Sequence, residues 1–178
     1  QCSECSARKT LFFLLCNSGN LPVNAVKNVS TPHIRLATVN DIDAIFVIRT
    51  SVKENHLSRE QLTRMGITHG AISELIRSSP CVWIAQVGEN LAGFSMADIN
   101  EGSVFAMFLL PEFEGLGIGR LLMEKVEETL FRHHSAIWLE TGRKSRAHGF
   151  YQRLGWQVTR ELEEGDVRME KSRPEVNS

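Results

Sequence analysis

The chain has 178 residues, of which 42% are apolar and 23% charged, and its formal net charge is −1. This length supports one domain with a substantial core and excludes two full-sized domains. The near-neutral charge argues against nucleic acid or an acidic membrane surface as a partner, and no apolar run approaches the roughly 18 residues of a spanning helix. We therefore expect a soluble, cytoplasmic protein that binds neither nucleic acid nor membrane.

Residues 1–32 are expected to form a poorly ordered extension, because they carry Ser, Asn and Gly clusters and no lasting helix or strand period. The apolar run over 11–16 is short for a secretory signal and no Ala-x-Ala cleavage site follows it, so export is the lesser alternative. Cys2 and Cys5 form a C-x-x-C pattern without a second pair or a nearby histidine, and we expect no metal there.

From residue 33 onward, periodicity and turn residues predict alternating strands and helices. They are a strand over 33–37, a helix over 42–48, a helical stretch over 59–77 broken near Gly66 and Gly70, and strands over 81–87, 91–99 and 103–110. A helix from 118, a strand over 136–140, a helix over 144–153 and a hairpin of 156–161 with 166–171 complete the series. This order predicts one α/β domain over 33–171, a mixed sheet flanked by helices, with a tail over 172–178.

The helix from residue 118 has an amphipathic pattern. Its predicted buried face consists of Ile118, Leu121, Leu122, Val126 and Leu130. Its predicted solvent face consists of Arg120, Glu124, Glu127 and Glu128.

The most informative stretch is the glycine-rich turn between the strand over 103–110 and this helix. Pro111 ends the strand, and Gly115, Gly117 and Gly119 occupy alternate positions before the helix begins. Glycine lets the backbone approach a ligand, and a helix start presents N–H groups under a positive dipole end. Strand, glycine turn and helix start together predict a site for a phosphorylated cofactor.

The spacing decides between phosphate-binding motifs. The dinucleotide fingerprint requires glycine at the position of Arg120, and the P-loop requires a Gly-Lys-Ser/Thr ending that Gly119 does not begin. The segment 114–119 (E-G-L-G-I-G) is instead similar to the cofactor motif Gln/Arg-x-x-Gly-x-Gly/Ala of the GNAT N-acetyltransferases. A second segment, 147–156 (A-H-G-F-Y-Q-R-L-G-W), resembles that family's A-x-x-F-Y-x-x-L-G-F. The resemblance extends over about 33–171.

The resemblance implies a central, mostly antiparallel sheet of six to seven strands with about four helices. It also implies transfer of the acetyl group of acetyl-CoA to a primary amine of a small molecule or peptide, through a tetrahedral intermediate and without a metal. A homodimer is common among similar proteins. The alternatives are a catalytically idle acyl-CoA-binding module with a sensing or scaffolding role, and a nucleotide-binding protein of another class that shares the glycines.

The resemblance also assigns roles to residues. Backbone groups of the glycine segment are expected to hold the cofactor pyrophosphate: Gly115, Leu116, Gly117, Ile118, Gly119 and Arg120. Backbone groups of Met107, Phe108 and Leu109 are expected to bind the pantetheine arm, with an N–H near Leu109 stabilising the oxyanion. Lys144 belongs to a basic cluster, 143–146, that is expected to pair with coenzyme A phosphates. A solvated basic helix start is the alternative for this cluster.

Tyr151, the only tyrosine in the chain, matches the family's general acid for the leaving thiolate. Aromatic packing is the alternative for Tyr151, and it is the expectation for its neighbour Phe150. The base that deprotonates the amine is a hypothesis: Glu54 is our candidate, with His56, Asp98 and Glu140 as others near element ends.

Two positions depart from the family pattern. Glu114 replaces the usual Gln or Arg, and we expect its side chain to turn outward and cofactor affinity to be modestly weaker. The Asn commonly found after the fifth strand has no clear match, because the basic cluster 143–146 occupies that region.

Overall fold

The computed structural model describes residues 31–52 and 56–174, which form a seven-stranded sheet with helices on both faces. The strands are β1 (His33–Leu36), β2 (Val82–Val87), β3 (Asn90–Asp98), β4 (Ser103–Leu109), β5 (Ala136–Gly142), β6 (Gln157–Glu161) and β7 (Asp166–Ser172). Their order is β1-β2-β3-β4-β5-β7-β6. All neighbours are antiparallel except β4 and β5, which are parallel. The predicted mixed, mostly antiparallel sheet is confirmed.

The described residues also form five α-helices. They are α1 (Ile42–Ser51), α2 (Arg59–Arg64), α3 (His69–Ser78), α4 (Ile118–Leu130) and α5 (Arg146–Arg153). Helix α1 packs with Phe94 and Phe108 around one small cavity, whereas Met107 lies beside Gly119 of α4. Because successive strand residues point to opposite faces, α1 and α4 cover opposite faces of β4.

The helical stretch predicted over 59–77 is two helices. Helix α2 ends at Arg64, and Gly66 follows with a left-handed φ of 79°. Thr68 then starts α3, where its side chain accepts a hydrogen bond from the Ala71 backbone N–H. The break predicted near Gly66 is therefore confirmed. The break predicted near Gly70 is wrong: Gly70 lies in the first turn of α3, which begins where Thr68 supplies a cap.

The predicted faces of α4 agree with the structure with two exceptions. Ile118, Leu122, Val126 and Leu130 are fully buried as predicted, whereas Leu121, predicted on the same face, is only half-buried because it lies at the edge of that face. The prediction that Glu127 lies on the solvent face is wrong, because its side chain is only 14% exposed. The helical period could not show this, because the contacts come from distant parts of the chain, Trp156 and Lys171.

The sheet divides between β4 and β5. The two parallel strands share one residue pair, Ser103 with Trp138, next to a hydrogen bond from the Trp138 N–H to the Gly102 carbonyl oxygen (3.0 Å). The strands therefore touch at their amino ends and separate toward their carboxyl ends. Within the described residues, no helix is long and apolar enough to cross a membrane.

Candidate functional site

The first component of the site is the edge of β4 that faces β5. The Leu110 N–H donates to the Ala92 carbonyl oxygen on the β3 side (2.8 Å). Hydrogen bonds across an antiparallel pair recur at alternate residues, so Phe108 also directs its backbone groups to β3 while Met107 and Leu109 direct theirs to β5. In the described sheet β5 pairs with β4 only at Ser103. The backbone of Met107 and Leu109 therefore lines the opening between the strands.

The second component is the turn that follows β4. Gly115 and Gly117 have φ values of 75° and 77°, in the left-handed region that favours glycine. A Cβ added at either position would meet no atom within 4 Å, so the surface beside this backbone is open. The loop therefore leaves room for a ligand to approach its amides.

The third component is the start of α4. Gly117 is its N-cap and supplies no side-chain cap, and the first intrahelical hydrogen bond reaches the Leu121 N–H. The amides of Ile118, Gly119 and Arg120 therefore lack intrahelical acceptors and form an anion-binding helix start. Gly119 has a different role from the other two glycines: a Cβ there would lie 3.4 Å from the Phe150 ring of α5.

Glu114 does not turn outward as expected. Its side chain is only 14% exposed, and its carboxylate lies 3.5 Å from the Arg146 guanidinium at the start of α5. The predicted orientation is therefore wrong. The physical reason is that the loops after β4 and β5 lie side by side, so a cation from the second loop partly neutralises the acid of the first.

Tyr151 lies within α5 and is buried, 3% exposed. Its ring packs against Phe150 at 5.4 Å and Trp156 at 6.2 Å between centroids. Burial in these surroundings raises the pKa of the Tyr151 hydroxyl far above its usual value, because the tyrosinate would be poorly solvated. The hydroxyl therefore keeps its proton throughout the physiological range.

The loop after β5 places Lys144 on the surface next to α5. Ser145 caps that helix by accepting a hydrogen bond from the His148 N–H (3.1 Å). Arg143 is paired with Glu161, and Arg146 with Glu114. Lys144 thus presents the one ammonium group of the basic cluster at the surface, close to the carboxyl end of β5.

The candidate bases occupy different surroundings. Glu54, our first candidate, lies outside the described residues, between the end of α1 and the start of α2. Asp98 accepts two turn N–H groups, from Asn100 and Glu101 (3.1 Å each), which gives it a structural task. Glu140 lies on β5, half-buried, with an oxygen 3.0 Å from the Arg168 guanidinium. His56 is exposed, and its Nδ1 lies 3.3 Å from the Val52 carbonyl oxygen.

Comparison with known proteins gives the family of this chain. The sequence profile of the acetyltransferase (GNAT) family matches residues 42–156. The chain belongs to the GNAT family. The matched residues include the β4 edge, the glycine turn and Tyr151, and the resemblance of the two motifs is thereby confirmed.

Three individual proteins are similar to this GNAT chain. An uncharacterised N-acetyltransferase of Archaeoglobus fulgidus is 38% identical over 88 residues, which span 43% of this chain and 60% of the relative. PaiA N-acetyltransferase of Thermoplasma acidophilum, solved in complex with coenzyme A, has a TM-score of 0.67 at 19% identity and covers 80% of this chain and 99% of its own. Arabidopsis thaliana Naa50, solved with the bisubstrate analogue CoA-Ac-MVNAL, has a TM-score of 0.60 at 13% identity, covering 80% and 99%. These structures share the fold.

Sequence reasoning missed one buried cation of this GNAT domain. Arg49, in the last turn of α1, is 3% exposed, and its guanidinium carbon lies 4.6 Å from the centroid of the Phe108 ring. Burial lowers the pKa of Arg49 to about 10. An arginine at a helix end normally predicts a solvated residue, so the pattern held no signal for its burial.

The described residues hold no group of three or more His, Cys, Asp or Glu side chains that could bind a metal ion. Cys81 is a buried core residue, and burial raises the pKa of its thiol to about 11. A thiol with that pKa is a poor nucleophile near neutral pH. The pair Cys2 and Cys5 lies outside the described residues.

Proposed function

We propose that this GNAT protein is an N-acetyltransferase that transfers the acetyl group of acetyl-CoA to a primary amine of a small molecule or peptide. The observation that carries the proposal is the continuous run of ligand-ready backbone from the open edge of β4 through the glycine turn to the start of α4. Acetyl-CoA supplies a thioester, which is the activated acyl donor, and a pyrophosphate that such a helix start binds.

We assign cofactor binding mainly to backbone groups. Amides of 115–120 hold the pyrophosphate, and the room beside Gly115 and Gly117 fits a bulky anion. Met107 and Leu109 offer N–H and C=O groups to the pantetheine amides, whereas Phe108 contributes packing because its backbone groups face β3. Lys144 is assigned a salt bridge to a coenzyme A phosphate. PaiA, solved with coenzyme A on the same fold, supports this assignment.

The chemistry needs an oxyanion donor and an acid. The amine nitrogen attacks the thioester carbonyl carbon to give a tetrahedral intermediate, and the Leu109 N–H stabilises its oxyanion. The C–S bond then breaks, and Tyr151 donates its proton to the leaving sulfur. Burial raises the pKa of Tyr151, so the hydroxyl carries the proton that this step needs.

The amine must lose a proton before it attacks. Glu54 is assigned this step because it follows α1 in the sequence, where the family builds part of its acceptor pocket. Glu140 is the second candidate, since it lies on β5, the strand that borders the opening, and its carboxylate pairs with Arg168. Comparing Glu54→Gln with Glu140→Gln decides between them: unchanged kinetics in a variant removes that residue from the mechanism.

The acceptor class is supported by one neighbour. Naa50 was solved with a bisubstrate analogue, CoA-Ac-MVNAL, which combines coenzyme A, an acetyl group and a peptide sequence. We therefore include peptide amino groups, together with small amines, among the acceptors. The enzyme acts as a single protomer or as a homodimer.

The test is release of free thiol from acetyl-CoA across a panel of amines, including peptides with free N-termini, amino acids and polyamines. Amine-dependent release, with the acetylated product identified by mass, supports the enzyme. Coenzyme A binding without release for any amine supports the idle acyl-CoA-binding module instead. A folded protein that prefers ATP or NAD to coenzyme A contradicts the cofactor assignment.

A further inference from the structure

The two halves of the sheet need a device that fixes their spacing. The β4 half carries the glycine turn, and the β5 half carries α5 with Tyr151. A single residue pair, Ser103 with Trp138, joins the two halves in the described sheet. One pair at the closed end cannot set the distance between groups that lie further along the opening, so side chains must contribute.

Glu127 of α4 makes such a contact between the halves. One carboxylate oxygen accepts a hydrogen bond from the Trp156 indole N–H (2.8 Å), and the other accepts from the Lys171 ammonium (2.7 Å). Trp156 follows α5 and Lys171 lies on β7, so one carboxylate ties three elements together. Trp156 is buried, and the side chains of Glu127 and Lys171 are only 14% and 20% exposed. Little solvent competes with these hydrogen bonds.

Trp156 connects this carboxylate to Tyr151. The Trp156 backbone N–H donates to the Tyr151 carbonyl oxygen (3.1 Å), and the two rings lie 6.2 Å apart at 59°. The indole is therefore held at its N–H by Glu127 while its backbone and ring face contact the tyrosine. A shift of Trp156 would therefore displace Tyr151.

Helix α4 is the right place for this carboxylate. Its first turn contains the amides assigned to the pyrophosphate, and it packs on β2, β3 and β4. Glu127 therefore links the position of Tyr151 to α4, the helix whose first turn is assigned to cofactor binding. The exposed pairs of α4, such as Glu128 with Arg132, stay within the helix and fix nothing across the opening.

We propose that Glu127 is a positioning residue, which acts through Trp156 to hold Tyr151 at the correct distance from the thioester bound along β4. This rests on the proposed function, in which Tyr151 protonates the leaving sulfur. A displacement of about 1 Å at a reacting group can cost about 100-fold in rate, so small movements of Trp156 matter.

The experiment is a double-mutant cycle on kcat with Glu127→Ala and Tyr151→Phe. Glu127→Ala is expected to lower kcat by about 10- to 100-fold while KM for acetyl-CoA changes less than about twofold. In the Tyr151→Phe background the same substitution is expected to change kcat by less than about twofold, because the group it positions is already absent. An equal loss in both backgrounds overturns the proposal.

Two further variants keep the result independent of folding defects. Trp156→Phe retains an aromatic ring but removes the N–H donor and part of the buried indole volume; we expect a loss of kcat, and again no loss in the Tyr151→Phe background. Glu128→Gln removes a neighbouring paired carboxylate on the exposed side of α4 and should match the wild type. A Glu128→Gln loss equal to that of Glu127→Ala overturns the proposal.

Failure of the proposed function is recognised separately. If the wild type releases no thiol with any amine, the acetyltransferase proposal fails, and amide hydrogen exchange tests the connection itself. Glu127→Ala should then accelerate exchange of the Trp156 amide about 10-fold or more relative to Glu128→Gln, because that amide donates to Tyr151. Equal exchange in the two variants overturns the structural connection.

Discussion

Strands β2 to β4 and strands β5 to β7 differ in how their side chains are buried. Most residues of β3 and β4 are buried, including both members of several successive pairs, because helices cover both faces. Strand β5 alternates buried and half-buried residues, and β6 is largely exposed. A strand covered on both faces has little freedom in its side chains, which suits a region whose assigned function is carried by backbone.

The second half has the opposite assignment. Tyr151, Lys144 and Glu140 are proposed to act through their side chains, of which Lys144 is exposed, Glu140 half-buried and Tyr151 buried. The comparison teaches where substitutions are informative: in the first half they report on stability and backbone shape, and in the second half on chemistry.

Phe94 is the strongest stability test of the first half. Its ring is 2% exposed and packs against Phe108 at 5.4 Å between centroids. We expect Phe94→Ala to lower the free energy of unfolding by about 3–5 kcal/mol through lost burial and a cavity. Val158→Ala on β6 is the matched test in the second half, and urea unfolding should show a loss below about 1 kcal/mol. Equal losses would contradict the division.

Gly117 separates backbone shape from stability. Gly117→Ala places a side chain at φ 77°, with strain of about 1–2 kcal/mol, and we expect coenzyme A affinity to fall about 10-fold by calorimetry. Gly66→Ala is a close control, because Gly66 has φ 79°, equally open surroundings and a place far along the chain from the glycine turn. It should lose the same stability and keep the wild-type affinity. A similar loss of affinity in both variants would refute a local effect.

Asp41 makes the stability of the first half depend on pH. It accepts hydrogen bonds from the Arg35 guanidinium (2.8 Å) and the Thr38 N–H (2.7 Å), and these contacts lower its pKa to about 2. A lowered pKa stabilises the fold above the unfolded value near 4 and loses that contribution as pH falls toward 2. Between pH 5 and pH 2 the wild type should therefore lose about 2 kcal/mol more stability than Asp41→Asn. Parallel pH profiles would contradict this role.

Glu114 tests the boundary between the halves. Its carboxylate is partly neutralised by Arg146 but still lies next to the amides assigned to the pyrophosphate. Glu114→Gln should raise coenzyme A affinity by about two- to fivefold at low salt, because a like charge beside the phosphates is removed. The gain should shrink only partly in 0.5 M salt, because Glu114 is 14% exposed and a partly buried charge is screened less than an exposed one. A loss of affinity would show that Glu114 itself contributes to binding.

Much of the first half was readable from the sequence because its signals are local. Strand and helix periods predicted the elements, and the alternate glycines predicted the turn in which Gly115 and Gly117 have left-handed φ values. Gly119 belongs to the same motif but is explained by packing against Phe150, which no local pattern encodes. Glu54 stays a prediction, since it lies outside the described residues.

The contacts between the halves could not be predicted because their partners are remote in sequence. Glu127 meets Trp156 and Lys171 at separations of 29 and 44 residues, and the helical period alone placed it on the solvent face. The same holds for Arg146 beside Glu114, where the loops after β4 and β5 come together only once the parallel pair has formed. A single sequence shows the faces of elements, and it does not show which faces meet.

The central claim is that the first half binds the cofactor and Tyr151 of the second half performs the proton transfer. The most direct test measures coenzyme A affinity by calorimetry and the single-turnover rate of acetyl transfer in parallel for the wild type and Tyr151→Phe. The account predicts an unchanged Kd and a rate lower by about 100-fold or more. A Kd that weakens together with the rate, or a rate that does not change, would contradict it.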